Sequence, residues 1–212
     1  MNFLAKLERR RLLAILRCDD VRRAADCIRV FTEENIDLVE VSLTSDRALS
    51  VLSEARGRFG DAVELGAGTV MTPAQAHAAI DAGAGYLVTP SLSAGALEGI
   101  RLGVPVLVGA LTPTEISIAV DHGATAVKLF PAEFGGPAYL KALRSPLPDV
   151  PFVPVGGVDA SLARAFLDAG AVAVGVGSPL LGTVAEDGDL DALRKRALEL
   201  REAVPPVDGG QQ

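Results

Sequence analysis

Eight short apolar runs punctuate the chain: Leu12–Leu16, Leu38–Val41, Val63–Ala67, Tyr86–Val88, Pro105–Val108, Ala126–Phe130, Phe152–Val155 and Ala171–Val176. They recur about every 20 to 26 residues, the length of one strand plus one helix. The runs are continuous rather than alternating, which indicates strands buried on both faces and hence a parallel sheet wrapped in helices. The stretches between them carry helix signals. Asp20 is placed to cap a helix whose apolar face is Val21, Ala24, Ala25 and Ile28, spaced i, i+3, i+4, i+7. Thr72-Pro73-Ala-Gln75 and Thr112-Pro113-Thr-Glu115 each supply a cap, a proline at the first helical position and a side chain that reaches back. Asp159 is the cap expected after the seventh run. Three helix exits repeat as Asp81-Ala-Gly-Ala84, Asp121-His-Gly-Ala124 and Asp168-Ala-Gly-Ala171, with glycine where a left-handed residue ends a helix.

Eight such units in 212 residues predict a single-domain (β/α)8 TIM barrel, near the short end of that fold's range. The alternative is a doubly wound open sheet, but the glycine-rich turn after the first strand that would favour it is absent. The barrel is expected to span residues 1–204. After Arg201 the sequence turns to Glu-Ala-Val-Pro-Pro-Val-Asp-Gly-Gly-Gln-Gln, read as a frayed end with residues 205–212 as a flexible tail.

Composition narrows the function. A net charge of −7 argues against a nucleic-acid surface, and the single basic cluster, Arg9-Arg10-Arg11, reads as a solvated helix end. The N-terminal stretch is too mixed in charge for a signal peptide, and no apolar run approaches the roughly 20 residues that cross a bilayer. With only Cys18 and Cys27 there is neither a disulfide framework nor a thiolate metal cluster, and both read as packed small residues. His77 and His122 fall on helices, so no catalytic metal is expected. The profile is that of a cytoplasmic enzyme or binding domain.

Chemistry in such a barrel belongs at the C-terminal strand ends. The sixth run, Ala126-Val-Lys-Leu-Phe-Pro-Ala132, carries Lys128 among apolar residues, a setting that favours the uncharged, nucleophilic amine over an ammonium. Only four of the 20 basic residues are lysines (Lys6, Lys128, Lys141 and Lys195), and arginine cannot replace an amine in imine formation. The other reading of Lys128 is a salt-bridged or snorkelling strand-end lysine. Glu40 lies inside the second run, where a carboxylate is costly and a raised pKa suits a proton shuttle; its alternative is a structural ion pair. Both residues point into one barrel interior. Thr69, in Leu65-Gly-Ala-Gly-Thr-Val70, offers a hydroxyl to a small carboxylate. Strand seven ends in Val155-Gly156-Gly157 and strand eight in Gly175-Val-Gly177-Ser178-Pro179, the two loops from which such barrels build a phosphate site. Arg17, ending the first strand, is an anion-binding candidate at the same mouth, or else a surface ion pair.

The Glu in Val39-Glu40-Val41, Gly66-Ala-Gly-Thr-Val70, Val88-Thr-Pro90, Leu111-Thr-Pro-Thr-Glu115, Lys128-Leu-Phe-Pro-Ala-Glu133 and Gly156-Gly157 stand in an order that resembles the 2-keto-3-deoxy-6-phosphogluconate aldolases. Close relatives in that family are 4-hydroxy-2-oxoglutarate aldolase and 2-keto-3-deoxy-6-phosphogalactonate aldolase. The resemblance covers nearly the whole chain. It implies a cofactor-free class I aldolase of sugar-acid catabolism, commonly a homotrimer, acting on a small phosphorylated keto acid. Lys128 would form the imine with pyruvate, Glu40 would move protons, Thr69 would hold the pyruvate carboxylate, and Pro90 and Phe130 would line the pocket. Three departures stand out. Thr44 occupies a position where many members place an arginine on the pyruvate carboxylate, and Arg17 is the candidate to compensate. The Pro-Gly often found before the Leu/Met-Thr-Pro-Thr-Glu segment is replaced here by Val108-Gly109-Ala110. Val155 precedes the Gly-Gly pair, as in galactonate-type members, where gluconate-type members carry threonine. Three other functions remain open on the residues: a phosphosugar isomerase or synthase, 4-hydroxy-2-oxoglutarate aldolase as the main activity, or a metabolite sensor in which Glu40 and Lys128 form an ion pair.

Overall fold

The computed structural model describes residues 2–207. Its centre is eight parallel strands: β1 (Leu12–Leu16), β2 (Leu38–Ser42), β3 (Glu64–Gly68), β4 (Tyr86–Val88), β5 (Val106–Ala110), β6 (Ala126–Leu129), β7 (Phe152–Pro154) and β8 (Val174–Val176). They pair in the order β7-β6-β5-β4-β3-β2-β1-β8. A bridge between Val155 and Gly175 joins the two ends, so the sheet closes into a (β/α)8 barrel and the open-sheet alternative falls away. The helices are α1 (Phe3–Arg10), α2 (Val21–Glu33), α3 (Ala48–Phe59), α4 (Pro73–Asp81), α5 (Ala94–Arg101), α6 (Pro113–Asp121), α7 (Gly136–Arg144), α8 (Ala160–Asp168), α9 (Ser178–Leu181), α10 (Val184–Asp187) and α11 (Leu190–Ala203).

The helices begin where the caps predict. Asp20 accepts from the amides of Arg22 and Arg23, and Asp159 accepts from Leu162. Thr72 and Thr112 each complete a capping box, with Gln75 and Glu115 respectively. Such caps hold helix ends by about 0.5–2 kcal/mol each. Gly83, Gly123 and Gly170 end α4, α6 and α8 at φ of 101°, 93° and 97°.

Strand side chains alternate between two cores. Leu12, Ala14 and Leu16 of β1, with Val39, Val41, Leu65 and Ala67, face the helices. Leu13, Ile15, Leu38, Tyr86, Val88, Leu107 and Val153 fill the barrel interior. Helix α1 covers the N-terminal end of that interior: Phe3 and Leu7 are buried in it, and the Phe3 ring stacks on Tyr86 at 4.5 Å between centroids. An aromatic pair of this kind contributes about 0.5–1.5 kcal/mol beyond its area. Lys6–Glu64 and Arg10–Asp37 ion pairs rim this floor, so the basic triplet is a helix end bound into the fold. With the floor sealed, the opposite, C-terminal mouth is left for chemistry.

The C-terminal expectation needs correcting. α11 runs to Ala203, Val204 is buried, and the Val207 amide donates to the Arg9 carbonyl at 2.9 Å. Val204 is thus packed in the helix-facing core and Val207 is bonded to α1, where a frayed end is expected after Arg201. Residues 208–212 of the expected tail lie outside the described residues. Among the described residues no helix is long and apolar enough to cross a membrane.

Candidate active site

Strand register brings the buried polar residues together. Glu40 of β2 stands level with Ile15 of β1 and Gly66 of β3, and Gly66 in turn with Tyr86 of β4. Above Glu64 at the floor, the inward positions on β3 are glycines, and this absence of side chains makes the site. A Cβ on Gly68 would collide with Glu40 Oε1, and one on Gly66 with the Tyr86 ring. The carboxyl group of Glu40 therefore lies across β3 towards the barrel axis, only 1% exposed. Burial pushes its pKa up; the charges of Lys128 and Arg17 pull the other way without cancelling the effect. Glu40 Oε2 has no hydrogen-bond partner among the described residues.

Lys128 projects inward from β6, level with Gly109 of β5 and Val153 of β7. It is 6% exposed, and its Nζ lies 5.0 Å from the centroid of the Phe130 ring. Among the described residues it makes no ion pair within 4.0 Å, with Glu40 or any other carboxylate. The ion-pair reading of these two residues thus finds no support. A salt-bridged Lys128 would be held away from substrate; an unpaired one is free to attack.

Beside them runs a chain of hydroxyls. Ser42 Oγ is 2.9 Å from Thr44 Oγ1 and 3.2 Å from Thr69 Oγ1. Thr69 has φ of 61°, a left-handed conformation that is a rare strain for a β-branched residue and costs about 1–3 kcal/mol. Such strain persists where surrounding structure over-determines it, and here it sets the hydroxyl beside Ser42 Oγ. Thr44 is exposed and reaches the chain only through Ser42. Ser42, fully buried, was not singled out from the sequence. Period-2 alternation was the available signal, since it puts Glu40, Ser42 and Thr44 on one face.

The remaining candidates lie on the rim. Pro90 and Phe130, half-buried, line a cleft with Leu111 and Ile118. Val155 is 5% exposed and packs in the inner cluster with Ile15 and Phe130, its Cγ2 covering Gly175. Arg17, exposed, lays its guanidinium over Gly177, with Nη1 3.2 Å from where a Cβ would stand. It has no ion-pair partner within 4.0 Å among the described residues, so an anion above the β8 loop would meet an uncommitted guanidinium. Gly156 and Gly157 have φ of 107° and 67°, and their amides donate to no acceptor among the described loop and turn bonds. The exposed Glu133 carboxylate approaches this loop, with Oε2 2.6 Å from where a Cβ on Gly157 would stand. The cysteines stand apart: both are buried thiols, and burial pushes Cys27 up to about 12. His77 hydrogen-bonds Glu98 on the surface, and His122 caps the end of α6. Among the described residues no three His, Cys, Asp or Glu side chains are grouped to hold a metal ion.

A recessed amine, a proton-binding carboxyl group and a line of hydroxyls facing one mouth can carry out imine chemistry on a small keto acid. Comparison with known proteins agrees. The family described as KDPG and KHG aldolase matches residues 4–196. A 2-dehydro-3-deoxy-6-phosphogalactonate aldolase of Escherichia coli K12 is 34% identical over 171 residues, 80% of this chain and 83% of the relative. A 2-dehydro-3-deoxy-phosphogluconate aldolase of Treponema pallidum is 36% identical over 154 residues, 72% and 73% of the two chains. The crystal structure of a 4-hydroxy-2-oxoglutarate/2-dehydro-3-deoxyphosphogluconate aldolase superposes with a TM-score of 0.84 at 36% identity, covering 96% of this chain and 99% of the other.

Proposed function

The chain belongs to the KDPG and KHG aldolase family, and from that premise we propose how its own residues divide the work of a class I aldolase. The reaction cleaves a 2-keto-3-deoxy-6-phospho sugar acid to pyruvate and glyceraldehyde 3-phosphate. Lys128 Nζ adds to the C2 ketone, and loss of water leaves a protonated imine. Glu40 takes the proton of the C4 hydroxyl as the C3–C4 bond breaks, and the bonding electrons flow into the iminium to give an enamine. The aldehyde phosphate departs, Glu40 gives the proton it took to C3 of the enamine, and water returns to hydrolyse the imine, releasing pyruvate and the free Lys128 amine. The iminium is the electron sink throughout. The observation that carries this assignment is the pairing of an inward, ion-pair-free Lys128 with a buried Glu40 whose pKa is raised.

Thr69, backed by Ser42 and Thr44, would hold the pyruvate carboxylate. Arg17 and the Gly177–Ser178 turn would take the phosphate or share the carboxylate, and Pro90 and Phe130 would wall the pocket. Such a site favours the aldolase over an isomerase or synthase, for which Lys128 has no task. A charged, membrane-impermeant substrate suits an enzyme of the cytoplasm, which cell fractionation tests. Exposed apolar side chains on the rim and flank, Phe134 at 74% exposure with Met71 and Ile118, suit burial in a homotrimer. Sedimentation at about three times the 21.9 kDa chain mass is the expected result, and a monomer would refute it.

Substrate choice is assigned to Val155. Gluconate and galactonate substrates differ at C4, whose hydroxyl loses its proton in the bond-breaking step. A threonine at 155 could hydrogen-bond one configuration, whereas valine has the same shape and no donor. Apolar contacts discriminate by only about 1–3 kcal/mol, so the enzyme should accept the galactonate epimer and separate the two weakly. Pyruvate release from both epimers and from 4-hydroxy-2-oxoglutarate measures this. Val155→Thr should move the kcat/KM ratio towards the gluconate epimer; strict gluconate specificity in the wild type, or an unmoved ratio, makes Val155 a packing residue.

A further inference from the structure

Directly below Glu40 the barrel buries a second polar group to which the reaction as described gives no task. Tyr86 is fully buried, and its hydroxyl has no hydrogen-bond partner among the described residues. The unpartnered Glu40 Oε2 is in the same condition one layer above. The bare Gly66 between the two strands lets the Tyr86 ring lie across β3, so its hydroxyl end reaches towards β2. Phe3 stacks against the ring from the floor and leaves it little room to swing away. A phenol is a ready donor and a carboxylate an acceptor, and leaving both buried and unpaired is costly.

We propose that Tyr86 is a positioning residue for Glu40: its hydroxyl donates to Glu40 Oε2 through one bridging water. The bond would hold the carboxyl group with Oε1 over Gly68, facing the mouth where the C4 hydroxyl is deprotonated. The inference rests on the reading of Glu40 as the proton carrier. A donor on Oε2 favours the carboxylate and opposes the effect of burial. The other groups facing Glu40 are Arg17 from the end of β1 and Lys128 from β6, while β3 presents only Gly66 and Gly68. Glu64, paired with Lys6 at the floor, adds its charge on the Tyr86 side. None of these is altered by removing the Tyr86 hydroxyl.

The test is Tyr86→Phe, which keeps the ring and its stack on Phe3, alone and combined with Glu40→Gln. Alone it should lower kcat about tenfold with KM within twofold, and shift the acidic limb of the kcat profile upward by roughly 1–2 pH units, the scale of one hydrogen bond to a charged group. In the Glu40→Gln background it should cost nothing further, because the two changes act through one group. An unshifted limb, or an equal loss of kcat in both backgrounds, overturns the role of Tyr86 while leaving Glu40 in place. Wild-type turnover in Glu40→Gln alone removes Glu40 as the proton carrier and the present proposal with it, so the two failures are distinguishable.

Discussion

Lys128→Arg is expected to abolish cleavage, lowering kcat by roughly 10⁴-fold or more while the barrel remains folded. The substitution keeps a positive charge on β6, so any function as a counter-ion or anion ligand would survive in part. Guanidinium is a poor nucleophile and forms no imine with a ketone, so catalysis through a covalent intermediate would not survive. The site around Lys128 is tight: Val153 of the barrel interior stands level with it on β7 and Phe130 lies against its end. Circular dichroism and thermal melting on the same preparation therefore accompany the assay. Retention of even a hundredth of the wild-type rate by a folded variant would contradict the mechanism.

Glu40→Gln should keep the fold and lose roughly 10²–10⁴-fold in turnover, the usual scale of general acid–base help. Its stability should move the other way. Burial raises the pKa of Glu40 above its unfolded value, so between those values the native state binds more protons than the unfolded one. Stability then falls as pH rises through that window, which begins at the ordinary carboxylate value near 4.5 and ends at the raised native value. Glutamine has no such proton to lose. The variant should accordingly gain on the wild type as pH rises from 4 to 8, in chemical denaturation followed at several pH values. A gap independent of pH would mean that Glu40 meets the same surroundings folded and unfolded.

The strands were legible because each is a continuous apolar run closed by a glycine, proline or cap, and their observed limits differ by a few residues for identifiable reasons. β5 extends through Gly109 and Ala110, where the apolar pattern stops, because Gly109 pairs with Lys128 across the sheet. β8 starts at Val174 and not Ala171, because the Ala171 amide is used to close α8 on Phe166. Lys128 and Glu40 were legible for a chemical reason, since an ionisable group in an apolar strand needs an explanation. What the sequence hid depends on contacts between distant strands. Ser42 joins Thr44 to Thr69 only once β2 lies beside β3. Arg17 meets Gly177 only when β1 pairs with β8. Phe3 could not be assigned to the barrel floor, because an amphipathic helix does not say which surface it covers. Tyr86 stands in the sequence only as the first residue of the fourth apolar run, and its buried, unpartnered hydroxyl is visible only when its neighbours are known.

The central claim, that this chain works through a covalent bond to one named lysine, is tested most directly by trapping. Incubation with pyruvate and borohydride, followed by peptide mass mapping, should inactivate the enzyme and place a single reduced pyruvyl group on Lys128. Modification at Lys6, Lys141 or Lys195 in its place, or full activity with no adduct, would contradict the account.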